Sequence, residues 1–172
     1  MQTNPLFSFS LVLLLVFCAA LPAWAAQPLV RPEQAVILTV TGNIERTNSN
    51  GKAIFDREML DQLSQHGFFT GTPWTGQKHH FSGVLLSDLL NYLGAEGENV
   101  RVIALNDYHN DLSMNMVRKH PFLLSTRLDG EIITVRDKGP LWVMLPLSEH
   151  SEYDTKRYHE MLVWQVKQLD IQ

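Results

Sequence analysis

Asp107, His109 and Asp111 stand two residues apart. On an extended chain alternate side chains share a face, so two carboxylates and an imidazole are set out in a way that suits a divalent cation. Loops produce a lone D-x-H-x-D by chance as well, and no metal site is assigned to it. Arg136 and Lys138 form a second constellation, two cations beside Gly139. A glycine there lets a ligand approach the backbone, and loops hung on a rigid scaffold are where binding groups usually sit. A solvated turn is the competing reading of the same residues. Trp74 and Trp142 offer flat faces for a planar ligand, although buried tryptophan more often belongs to a core.

Other catalytic signatures are missing. The chain has no G-x-S-x-G, no glycine-rich phosphate loop and no H-E-x-x-H. Its seven histidines, at 66, 79, 80, 109, 120, 150 and 159, include no i, i+4 pair. No catalytic residue is therefore assigned.

The elements that position these groups follow from periodicity. Residues 141–145, Leu-Trp-Val-Met-Leu between two prolines, show no polar alternation and predict a short strand buried on both faces. The charged loop at 136–139 hangs directly on it. Asp129-Gly130 predicts a two-residue hairpin between strands at 122–128 and 131–135. Further strands are expected at 36–41, 68–72, 100–105 and 161–171. In the last of these the buried parity changes after Val166, which predicts a bulge near Lys167. Leu85, Leu86, Leu89, Leu90 and Leu93 predict a helix closed by Gly94. Asp56 is expected to cap a helix over 57–65 that Gly67 stops. A short helical turn is expected over 114–120, before Pro121. Residues 148–157 read as an exposed loop. Seven or eight short strands with two or three short helices make a β-rich α+β domain with a mixed sheet.

Residues 1–25 read as a secretory signal peptide, with an apolar run at 11–20, Pro22, and Ala23-Trp24-Ala25 as the cleavage signal. Cleavage is expected after Ala25 or Ala26. Residues 1–10 contain no Lys or Arg, a departure from the usual signal pattern that leaves only the terminal amine as positive charge; the absence of an Arg-Arg pair points to the general export route and a periplasmic location. Residues 26–172 then form one domain. Cys18, the only cysteine, falls in the signal, so the mature chain has no thiol for a disulfide, a zinc site or a nucleophile. No later run is long enough to span a membrane after cleavage. The net charge of −4 argues against nucleic acid as a partner.

An ordered set of motifs carries a resemblance. Phe81-Ser82-Gly83-Val84 with Leu85-Leu86-Ser87-Asp88-Leu89-Leu90 is followed by Asp107-Tyr108 and Leu128-Asp129-Gly130-Glu131. Lys138-Gly139-Pro140-Leu141-Trp142-Val143-Met144-Leu145-Pro146 and a final Trp164 segment complete it. In order and spacing, over residues 36–171, this resembles the molybdopterin-binding domain of the sulfite oxidase family. The resemblance implies the mixed α+β fold of that domain. In catalytic members it implies molybdenum held by a pterin dithiolene and one cysteine thiolate.

This chain departs from that pattern in two places. The family's cysteine lies before the F-x-G-V motif, where Thr70-Gly71-Thr72-Pro73-Trp74 stands here, and threonine is a poor substitute for a soft thiolate. Trp142 stands where the family often has an arginine after Pro-Leu. The pterin-molybdenum cofactor is inserted in the cytoplasm, and a chain threaded unfolded across a membrane does not carry it. The expected function is therefore a non-catalytic periplasmic domain with no cofactor. Its cleft, with Thr72, Trp74, Asp107, Tyr108, Arg136 and Lys138 as candidate binding residues, would take a small anionic or heterocyclic ligand or dock a membrane-bound sensor protein. Two alternatives stay open: a molybdopterin-dependent oxidoreductase with a non-cysteine ligand, and a purely structural interaction protein.

Overall fold

The computed structural model describes residues 29–172; the signal peptide expected over 1–25 lies outside them. Among the described residues ten strands, four short helices and two 3-10 turns follow one another, more than the seven or eight strands and two or three helices expected from the sequence. The first sheet has the order β2-β1-β10-β5-β6, built from Leu38–Gly42 (β1), Ala53–Phe55 (β2), Asn99–Ala104 (β5), His109–Ser113 (β6) and Val166–Ile171 (β10). Within it only β1 and β10 run parallel. The second sheet runs Gln65–Thr70 (β3), His79–Leu85 (β4), Leu123–Leu128 (β7) and Glu131–Ile132 (β8), with Trp142–Met144 (β9) also on β7. This is the β-rich α+β architecture that the sequence implies.

Local sequence explains why these elements begin and end where they do. Helix α2, Leu86–Leu93, buries Leu86, Leu89, Leu90 and Leu93 and ends at Gly94, whose φ of 62° favours a residue without a side chain. Helix α3, Met114–Lys119, starts at Ser113, whose side chain accepts from the Met116 N–H, and stops before Pro121. Residues 141–145 are fully buried, as the unbroken apolar run implies. The register shifts between Val166 and Gln168, where the change of parity predicts a bulge.

Several expectations are revised. The second hairpin strand, expected over 131–135, is only Glu131–Ile132, and Val135–Asp137 forms a 3-10 turn. Helix α1 spans only Arg57–Asp61. The Gln65 side chain donates to the Leu60 and Leu63 carbonyls, closing the helix early, and Gln65–Thr70 joins β4 instead. Gly67 is thus a strand residue, needed because a Cβ there would lie 2.9 Å from the Phe81 carbonyl and the His80 ring. The closing strand begins at Val166 rather than 161, because Gln165 takes a φ of 53°. The 148–157 segment is anchored rather than wholly exposed: Tyr153 is buried and its hydroxyl lies 3.0 Å from His120 Nδ1.

The core divides in two. The larger part joins α1, α2 and α3 to the first sheet and to Leu124, Val143 and Leu145. The smaller holds Phe81, Leu123, Ile133, Trp142 and Met144. Burying each such large side chain contributes roughly 1.5–3 kcal/mol, so β9, short as it is, anchors what is attached to it. Among the described residues no helix is long and apolar enough to cross a membrane.

Candidate functional site: an aromatic groove

A groove of about 480 Å³ opens where the 71–76 turn, the end of β5, helix α4 (Lys156–His159) and the 162–164 segment meet. Trp74 and Trp164 form adjacent walls, their ring centroids 5.1 Å apart and their planes at 72°. Both remain more than a third exposed, and Tyr108 is half exposed. Ala104, Leu162 and Val163 form apolar parts of the lining, while Asn106, Lys156, His159 and Glu160 supply its polar groups.

Each wall is held from behind. Trp164 packs edge-on to Trp142, centroids 6.4 Å apart, and Trp142 packs on Phe81 at 5.5 Å in the smaller core. The Trp142 indole N–H reaches the Leu162 carbonyl at 3.4 Å. Trp74 sits on a turn closed by its own threonines: the Thr72 N–H donates to Thr75 Oγ1 at 2.9 Å and the Trp74 N–H to Thr72 Oγ1 at 3.2 Å. Ser148 ties that turn down, accepting from the Gly71 N–H at 3.0 Å while its own N–H donates to Thr70 Oγ1. His159 lies edge-on to Trp74 at 6.2 Å, and its Nε2 is 2.7 Å from Asp154 Oδ1. The rings are thus in place before any ligand arrives, which lowers the ordering cost of binding.

Of the six candidates read from the sequence, the fold brings Trp74 and Tyr108 into this groove. Thr72 lines a neighbouring hollow of about 400 Å³ with Pro73, Ser148 and Asp154. Asp107 turns to Lys167, whose Nζ lies 2.7 Å away and holds its carboxyl below the usual range. Arg136 and Lys138 lie on the loop after β8 and do not line the groove; Lys138 Nζ stands 5.7 Å over the Trp142 ring. Sequence reasoning missed Trp164, read as a strand residue, and the His159 and Asp154 pair. The five-residue separation of that pair matches no standard helical spacing, so no sequence pattern marks it.

The D-x-H-x-D run does not converge. Asp111 forms a two-pronged ion pair with Arg101 at 2.7 and 2.9 Å, while Asp107 is engaged by Lys167. Among the described residues no group of three or more histidines, cysteines or carboxylates is arranged for a metal ion.

The residues before the F-x-G-V motif do not fit a thiolate-held molybdenum. Thr70 is buried, and its hydroxyl is committed to the Gly71 carbonyl and to Ser148. Thr72 Oγ1 is engaged within its own turn. These are hard hydroxyl groups already hydrogen-bonded, and no thiol stands among residues 29–172.

Comparison with solved structures finds the sulfane dehydrogenase SoxCD of Paracoccus pantotrophus, with 17% identity and a TM-score of 0.58 over 78% of this chain. The chain spans 37% of the length of that one. At that identity the likeness shows a shared fold. No family model and no curated protein matches the sequence.

Proposed function

We propose that this is a non-catalytic, exported ligand-binding domain on a sulfite-oxidase-like fold, whose aromatic groove takes a small planar heterocycle. The perpendicular pair of Trp74 and Trp164, exposed on a rigid support, carries this reading. Edge and face contacts to each ring contribute about 0.5–1.5 kcal/mol beyond burial. Asn106, His159 and Glu160 then supply the few polar groups that orient such a ligand. The heterocyclic class is favoured over a purely anionic one because Arg136 and Lys138 stand outside the groove, where Lys156 is its single lysine or arginine.

Export, periplasmic location and loss of molybdenum chemistry belong to the same proposal. The absent thiolate and the committed threonine hydroxyls support the last of these; export and location rest on the residue pattern at 1–25 alone. Native mass spectrometry of protein purified under mild conditions tests the binding reading. The expected result is a bound small molecule that dissociates on denaturation and is absent from Trp164→Ala. A wild-type protein that is empty, and that also takes up no added bicyclic heterocycle, contradicts it.

A further inference from the structure

We infer that a second, separate surface, the hollow bounded by Val36, Leu105, Val135 and Pro140, docks a segment of another protein that presents an apolar side chain beside a carboxylate. This hollow of about 390 Å³ lies over β1 and β10, with Lys167 at its edge. Val36, Leu105 and Val135 are 46%, 42% and 53% exposed. They come from three separate segments and meet around one concavity, so their exposure is gathered in one place rather than scattered singly.

Val135 is also held rigidly. The Asp137 and Gly139 N–H groups both donate to the Thr134 carbonyl, at 2.9 and 2.7 Å. The Gln165 side chain donates to the Val135 carbonyl at 2.8 Å, and the Gln165 N–H to the Lys138 carbonyl at 2.9 Å. A loop pinned at both ends that points an aliphatic residue outward has its ordering cost already met.

Charge identifies the occupant. Asp107 is paired with Lys167, while Asp137, bonded to the Thr134 hydroxyl at 2.7 Å, keeps its charge and stands in sequence between two cations, Arg136 and Lys138. Arg136, next to Val135, is exposed and among the described residues has no ion-pair partner. Within a chain of net charge −4, the Arg136-Asp137-Lys138 loop thus carries one net positive charge, and its exposed guanidinium follows directly on Val135 at the rim of the hollow. Guanidinium recognises a carboxylate in two-pronged geometry. A membrane surface is the poorer fit, since lipid takes protruding apolar groups rather than a concavity, and anionic lipid is repelled by the overall charge. The inference stands whatever fills the aromatic groove.

Selection of a randomised displayed peptide library on the purified protein tests it. The expected result is enrichment of peptides with an aliphatic or aromatic residue close to Asp or Glu. Val135→Asp and Arg136→Glu should each weaken the best peptide by at least about ten-fold, with melting temperature unchanged. Replacing the peptide's acidic residue by lysine should restore binding to Arg136→Glu. Several results would overturn the inference: no enrichment, enriched peptides without an acid, or binding indifferent to both substitutions. So would Arg136-dependent binding to phosphatidylglycerol vesicles in place of peptides, which would assign the surface to lipid.

Discussion

Gln165 and Lys138 meet through their backbones, N–H to carbonyl at 2.9 Å, and both hold positive φ, 53° and 75°. This contact joins the charged loop to the segment that carries Trp164. Side chains other than glycine reach this region at some cost, so the junction is held by its neighbours. The Gln165 carbonyl accepts from the Leu105 N–H at 2.8 Å, bringing the β5 end to the same point.

Lys138→Gly is therefore expected to raise stability by up to about 1 kcal/mol, because glycine takes this φ without strain. Gln165→Ala keeps the strain and loses the bond to the Val135 carbonyl, and is expected to cost roughly 1–2 kcal/mol. Urea unfolding of both variants checks the opposite signs.

Gly83 belongs to the F-S-G-V motif because β4 and β7 approach closely there. A Cβ on Gly83 would lie 2.2 Å from the Leu124 carbonyl oxygen and 2.9 Å from the Ser125 Cα, backbone atoms that cannot rotate away. Gly83→Ala is expected to cost at least about 3 kcal/mol, at the upper end of overpacking effects. Loss of soluble protein, or a melting temperature lowered by more than about 6 °C, would agree with this.

Asp56 gives a pH dependence. Its carboxylate accepts from the Met59 N–H at 2.9 Å and from the Glu33 and Gln34 N–H groups at 2.9 and 3.0 Å. The Met59 bond leads in lowering its pKa, with burial opposing. A depressed folded value means its stabilisation is complete above the unfolded pKa of about 3.9. It is lost as pH falls through the folded value. Asp56→Ala is expected to lose roughly 1–3 kcal/mol at neutral pH. The gap from wild type should shrink in acid melts; a gap that widened there would refute the assignment.

Molybdenum content separates the binding domain from an oxidoreductase. Protein from its own host is expected to hold no stoichiometric molybdenum or pterin, since the hydroxyls of Thr70 and Thr72 are committed to Ser148, Gly71 and Thr75. Elemental mass spectrometry with fluorescence of oxidised pterin reads this directly. One molybdenum per chain would restore the redox alternative.

Much of the scaffold was legible in residue patterns with a single physical solution. The leucine periodicity of α2, the Asp56 cap, the buried run at 141–145 and the parity change at Val166 each dictate one local structure. Helix α1 was overestimated because Met59, Leu60 and Leu63 continue a helical stripe while β4 recruits Gln65 onward as a strand. The groove was only half legible. Trp74 stood out in its proline turn, but Trp164 becomes a wall only because Gln165 turns the chain, and a positive φ on glutamine leaves no compositional mark. The family resemblance groups Asp107, Arg136 and Lys138 with Trp74 in one cleft; the ion pair to Lys167 and the loop after β8 place them elsewhere.

The groove itself is tested most directly by calorimetric titration of wild type, Trp74→Ala and Trp164→Ala with 6-carboxypterin, xanthine and indole-3-acetate. Saturable one-to-one binding of at least one bicyclic ring system is the expected result, weakened about ten-fold in each variant, the equivalent of about 1.4 kcal/mol per lost ring. No heat with any of the three, or binding that both variants retain in full, would contradict a ligand site built on these two tryptophans.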